Sequence, residues 1–148
     1  SERLAAASRW LDLYNRHRPL SAHLDVRERG HADLLPLLSA QMVLGRPVID
    51  WFAASADGVI VWPAKRLLAS TLSLMMALDA APHNFQLKLG LLSNFLSLGA
   101  GKSALDLYRS CDIKQIQHES LSYLVLPALG QIGATEASEA VLAGGGRL

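Results

Sequence analysis

The feature that most limits what this chain can fold into is a helix, glycine turn, helix unit that returns after 34 residues. It is clearest from Asn84 to Leu107. Phe85, Leu87, Leu89, Leu91, Leu92, Phe95, Leu96 and Leu98 form a helix apolar enough to be covered on more than one side, and Gly99 and Gly101 then interrupt it. In the following helix Ala104 is small where two helices cross closely, Tyr108 fills the groove one turn on, and Cys111 is small again. Adding 34 takes Leu98-Gly99-Ala100 to Ile132-Gly133-Ala134, and Leu87, Leu91, Leu92 and Phe95 to Leu121, Val125, Leu126 and Leu129. The same shift takes Ala104 to Ser138 and Tyr108 to Leu142. Subtracting 34 gives Ser70, Leu74 and Ala77, with Pro82 placed to stop the helix.

A unit of this length with a Leu-Gly turn, an alanine five residues on and an aromatic four later has tetratricopeptide spacing. The expected fold is therefore all-α: tetratricopeptide-like antiparallel helix pairs stacked as an α-solenoid fragment. Composition agrees, since 51% of residues are hydrophobic, dominated by Leu and Ala with few aromatic or β-branched residues. At 148 residues the chain reads as a single helical-repeat domain or fragment. Its parts are N-terminal helices over 1–44, an irregular insertion over 45–63, repeat helices in phase over 64–143 and a frayed glycine tail over 144–148. The start at Ser1, without Met, reads as a fragment or a processed chain.

In chain order, helices are expected over Glu2–Arg16, ended by His17-Arg18-Pro19, and over Ala32–Leu44, with Pro36 tolerated in the first turns. A short helix is expected over Val48–Ala56. Beyond it, Asp57-Gly58 and the Val-Ile-Val run break the pattern. Leu67–Leu78 reads as a buried helix: it has about two-thirds of the length needed to cross a bilayer, and Lys65, Arg66 and Asp79 bracket it. Further helices are expected over Asn84–Leu98, Lys102–Ser110, His118–Gln131 and Thr135–Ala143. The net charge of +1 argues against a dedicated nucleic-acid binder, although six arginines lie in the first thirty residues. One cysteine excludes an internal disulfide framework and suits a reducing compartment.

Three patterns suggest chemistry, and each has a plainer explanation. Gly101-Lys102-Ser103 resembles the end of a P-loop, but Leu96 stands where the earlier glycine belongs, and a helix precedes it where a strand is required. Lys102 and Ser103 are better read as opening a helix, the hydroxyl satisfying free amides. Arg27-x-x-Gly30-x-Ala32 resembles the acetyl-CoA loop of GNAT acetyltransferases, yet no strand leads into it. His17, His23, His31, His83 and His118 have no metal-ligand spacing, and Cys111 has no base near it in sequence and is expected to be a buried, unreactive core residue. No catalytic, metal or cofactor-binding residue is therefore assigned.

The stretch Asp106-Leu107-Tyr108 through Asp112-Ile113-Lys114 and Ile116-Gln117-His118-Glu119-Ser120 to Tyr123-Leu124 resembles the non-catalytic auxiliary subunit of the N-terminal acetyltransferase B complex, NatB. That family carries D-L-Y, a short D-x-K, then I-Q-H followed by an acidic residue, Ser or Thr, and G-Y-L. The resemblance covers roughly residues 82–140, taking in Phe85-Gln86-Leu87-Lys88-Leu89 and Leu98-Gly99-Ala100, and is fainter over 67–82. Ser122 replaces the family's usual Gly, Pro127 interrupts the next helix, 45–63 has no clear counterpart, and the family protein is much longer. The resemblance implies a cytoplasmic, non-enzymatic scaffold. Such a scaffold holds a GNAT-type catalytic subunit, which itself binds acetyl-CoA, and helps place it at the ribosome. It supports acetylation of nascent chains beginning Met-Asp, Met-Glu, Met-Asn or Met-Gln. Lys114, Gln117 and His118 are the candidate partner-binding residues, because a mere connector between helix pairs leaves them without a task. No membrane and no specific nucleic acid is expected as a partner. The competing reading is a generic tetratricopeptide adaptor for a peptide tail, for which Lys88 and Asn94 are a sparse basis.

Overall fold

A computed structural model describes residues 1–25, 27–46, 62–111, 122, 125–130, 133 and 135–144. The expected helix Val48–Ala56, most of the 45–63 insertion and the link carrying Lys114, Gln117 and His118 lie outside the described residues. The fold is all-α, with adjacent helices packed against one another, and no strand occurs among the described residues. The helices are α1 (Glu2–His17), α2 (Leu35–Leu44), α3 (Ala64–Ala80), α4 (Phe85–Ser97), α5 (Gly101–Arg109), α6 (described over residues 125–130) and α7 (Thr135–Gly144), with a 3-10 turn at Arg18–Ser21. They form two compact units, Ser1–Asn94 and Phe95–Leu148.

In the first unit α1 packs on α2, and α2 on α3. Helix α1 buries Ala7 and Tyr14, seven residues apart and so on one face. The Ser39 hydroxyl of α2 donates to the Ala7 carbonyl at 2.9 Å, satisfying a buried polar group at the crossing. Arg3 at the start of α1 lies against Gly45 at the end of α2, so the two run antiparallel. Helix α2 begins at Leu35, three residues later than Ala32. The reason is Pro36: it lacks the amide an interior position must donate, and is accommodated only in the first turn. Gly45, at φ 79°, closes α2 and donates to the Gln41 carbonyl at 2.7 Å.

Helix α3 corrects the expectation of a buried helix. Leu67, Ser70, Thr71, Leu74 and Ala77 form its buried face, whereas Leu68, Leu72, Met75 and Met76 are exposed. With leucines on both faces and Ser70 and Thr71 on the buried one, the sequence of α3 does not announce which side faces the core. Asn84 caps α4, its Oδ1 accepting from the Gln86 and Leu87 amides at 3.1 and 3.2 Å. Ten residues on, the buried Asn94 amide group donates to the Ser70 hydroxyl at 2.9 Å, pinning the end of α4 to the start of α3.

The second unit contains the repeated turn. Gly99 stands at φ 72°, with its amide donating to the Leu96 carbonyl at 3.0 Å and the Ala100 amide to Phe95 at 2.9 Å. This pair of bonds satisfies the last carbonyls of α4, and the left-handed backbone it needs favours glycine. Gly133 stands at φ 71°, and its amide bonds the Gly130 carbonyl at 3.2 Å. The Gly101-to-Gly99 bond of 3.0 Å recurs as Thr135-to-Gly133, also 3.0 Å. Helices α5 and α7, which start 34 residues apart, pack against each other.

Candidate partner-binding surface

The repeat-defining residues divide into core and margin. Ser70, Leu74, Ala77, Ala104 and Tyr108 are buried, and Gly99 and Gly133 occupy the two left-handed turns. Three positions differ from expectation. Cys111 is half-buried, not buried, because it follows the last turn of α5; its thiol donates to the Leu107 carbonyl at 3.3 Å. Ser138 is half-buried, and Leu142 is 63% exposed while Val141 is 1% exposed. The inward face of α7 is thus shifted by about a residue from that of α5, which a fixed 34-residue count cannot anticipate.

The patterns that resembled chemistry are occupied by structure. The Gly30 amide donates to the Asp33 carboxylate at 2.9 Å, and the Arg27 amide to Asp25 at 2.9 Å, so neither is turned toward a pyrophosphate. Contrary to the expected hydroxyl cap, Ser103 does not close the start of α5; Ala100 is the cap residue and no side chain bonds there. Lys102 and Ser103 are exposed. His17, His23, His31 and His83 are exposed, and among the described residues no three His, Cys, Asp or Glu side chains gather as a metal site. A cleft of about 350 Å³ between the ends of α1, α2 and α3 is lined by Ser1, Glu2, Arg3, Leu4, Met42, Val43 and Arg66, without a nucleophile paired to a base.

Buried polarity serves packing. Asp33, Asn84, Lys88 and Asn94 are buried, and the Asn84 amide group lies 3.5 Å from the Asp33 carboxylate that also accepts from Gly30. Lys88 and Asn94 are therefore not offered to the carboxylate of a peptide tail. Burial pushes the Tyr14 hydroxyl above its ordinary 10.0; Arg18 opposes this by charge and hydrogen bond, while Asp33 adds to it. Tyr108 is likewise raised by burial, with Cys111 acting in the same direction. These are core tyrosines, not acid-base groups poised near neutral pH.

What remains is surface, buttressed by a packed core and lacking a reactive cluster among the described residues. The model of the family described as "N-acetyltransferase B complex (NatB) non catalytic subunit" matches residues 1–144. The chain belongs to this family. Among curated relatives, the human N-alpha-acetyltransferase 25, NatB auxiliary subunit, is 36% identical over 94 residues, 62% of this chain and 9% of that protein. The rat and mouse proteins of the same name are each 35% identical over the same lengths. The chain thus spans about a tenth of the length of these relatives. No solved structure matches.

Family membership makes exposed surface the place to look for function. Sequence reasoning missed the exposed row on α3, because the apolar run looked like core. The polar character of the corresponding positions one repeat later was the available signal. No helix of the described residues is long and apolar enough to cross a membrane.

Proposed function

We propose that this chain is part of a non-catalytic scaffold that binds the NatB catalytic acetyltransferase subunit and supports co-translational N-terminal acetylation at the ribosome in the cytoplasm. The observation that carries this reading is the match of the NatB non-catalytic subunit family along residues 1–144. The glycine turn repeated 34 residues apart supports it, because stacked helix pairs of tetratricopeptide type present broad ridges suited to wrapping another protein. The chemistry belongs to the partner, which binds acetyl-CoA; this chain contributes contact area and orientation. The reading as a carboxylate-clamp adaptor is weakened by the burial of Lys88 and Asn94.

The test is co-expression of the chain with the NatB catalytic subunit, followed by size-exclusion chromatography and acetylation of Met-Asp and Met-Glu peptides. Co-elution, with acetylation faster than by the catalytic subunit alone, is the expected result. Absence of both overturns the reading.

A further inference from the structure

Helix α3 carries a face that its counterpart in the next repeat does not. Leu68, Leu72, Met75 and Met76 are 51, 60, 46 and 68% exposed, and their spacing puts them on one stripe directly opposite the buried face. Thirty-four residues on, the same positions are Lys102, Asp106 and Arg109 of α5 and Ser110 just beyond its end, all exposed. The repeat therefore accepts a polar outer face, and the apolar stripe on α3 is not a requirement of packing. A concentrated apolar row on a soluble surface marks a contact.

The stripe also has a symmetry that selects its occupant. Lys65, Leu68, Leu72, Met76 and Asp79 lie on the same side of α3 at offsets of −7, −4, 0, +4 and +7 from Leu72. The pattern reads the same in both directions, except that its ends carry opposite charges. A second α3 laid antiparallel across it, with a two-fold axis at Leu72, sets Leu68 against Met76 of the copy and Lys65 against Asp79 of the copy. That is the self-complementarity a two-fold interface demands. The charges point the same way. A basic residue in the first turn and an acidic one in the last oppose α3's own dipole, whereas in an antiparallel pair each faces the favourable end of the other helix.

We infer that α3 is a self-association surface through which two copies of this chain pair antiparallel about Leu72. The inference goes beyond the scaffold reading and does not depend on it. One helix face is smaller than the roughly 800 Å² per partner of a standard stable interface, so the dimer is weak. Met75 and Met76 suit such a contact, since their unbranched chains adapt to a partner.

Sedimentation equilibrium of the full 148-residue chain over a wide concentration range tests this. A reversible monomer–dimer equilibrium is expected. Lys65→Asp alone and Asp79→Lys alone each place like charges face to face and weaken it by about fivefold or more. Mixing those two variants restores association, because each then meets its opposite charge. Leu72→Asp with Met76→Ser, the residues found 34 positions on, abolishes it; should that variant lose its helical circular dichroism, Met76→Lys alone serves. A chain monomeric up to about 1 mM overturns the inference. So does association indifferent to the charge variants, or loss of association without recovery on mixing. Stripe-dependent binding to phosphatidylcholine–phosphatidylserine vesicles by a chain that stays monomeric assigns the face to lipid and also overturns it.

Discussion

At the scale of single residues, the most exacting position is Ala104. It is completely buried on α5, so a longer side chain there must displace the atoms packed around it. Ala104→Leu is expected to cost about 1–3 kcal/mol, read as a lowered urea midpoint with an unchanged slope. A midpoint unaltered by the substitution would show that the crossing is looser than its burial implies. The core tyrosines give a second residue-scale expectation. Because burial raises the folded-state values of Tyr14 and Tyr108 above 10.0, their contribution to stability is complete below that ordinary value and is lost as pH rises through the folded value. Unfolding midpoints measured at neutral pH and near pH 11 should therefore fall for the natural chain. The fall should be smaller for Tyr14→Phe with Tyr108→Phe; an equal fall would locate the alkaline sensitivity elsewhere. Gly99 and Gly133 were legible in the sequence for a simple reason: a helix-ending glycine is needed where the backbone turns left-handed, and both do. Leu142 was not legible, because counting residues fixes a helix's phase along the chain but not the small rotation that brings Val141 inward instead.

At the scale of the helices, two polar joints hold α4 in place. Asn84 bonds two amides in the first turn, and replacing it by Ala leaves them uncapped, at an expected cost of about 1 kcal/mol. The Ser70–Asn94 pair is less forgiving. Ser70→Ala strands the buried Asn94 amide group and should cost about 1–3 kcal/mol, whereas Ser70→Ala combined with Asn94→Leu removes both polar partners and should cost less than the sum of the single changes. A double-mutant cycle in urea checks this, and strict additivity would mean the two do not depend on each other. Helix existence was readable from apolar period alone: α1, α4, α5 and α7 begin within one residue of where the pattern places them. The start of α2 was misjudged because the tolerance for Pro36 is narrower than a periodicity suggests. The orientation of α3 was misjudged because Leu67–Leu78 carries apolar residues on both faces and sets two of its few polar ones, Ser70 and Thr71, on the buried one, so the information needed lay in the residues that α2 and α4 present to it.

At the scale of the whole molecule, the proposed scaffold role asks which surface would meet a catalytic partner, and the most specific family-like stretch offers a candidate. Lys114, Gln117 and His118 lie in sequence between α5 and α6, outside the described residues, and they are proposed from the sequence pattern alone. A connector needs apolar residues to close the core and turn formers to change direction, which Ile113, Ile116 and Asp112 can supply. Three long polar side chains of defined identity are more than that task demands, and polar residues with no folding role are the ones to suspect of recognition. Replacing all three by Ala should abolish capture of the NatB catalytic subunit while leaving the melting curve of the chain unchanged. Collapse of the fold would make them connector residues, and capture at the natural level would remove them from the interface. The α3 variants that disrupt self-association provide the necessary control. If the two surfaces are independent, Lys65→Asp leaves capture intact and the triple substitution leaves the monomer–dimer equilibrium intact, so each variant silences one contact and spares the other.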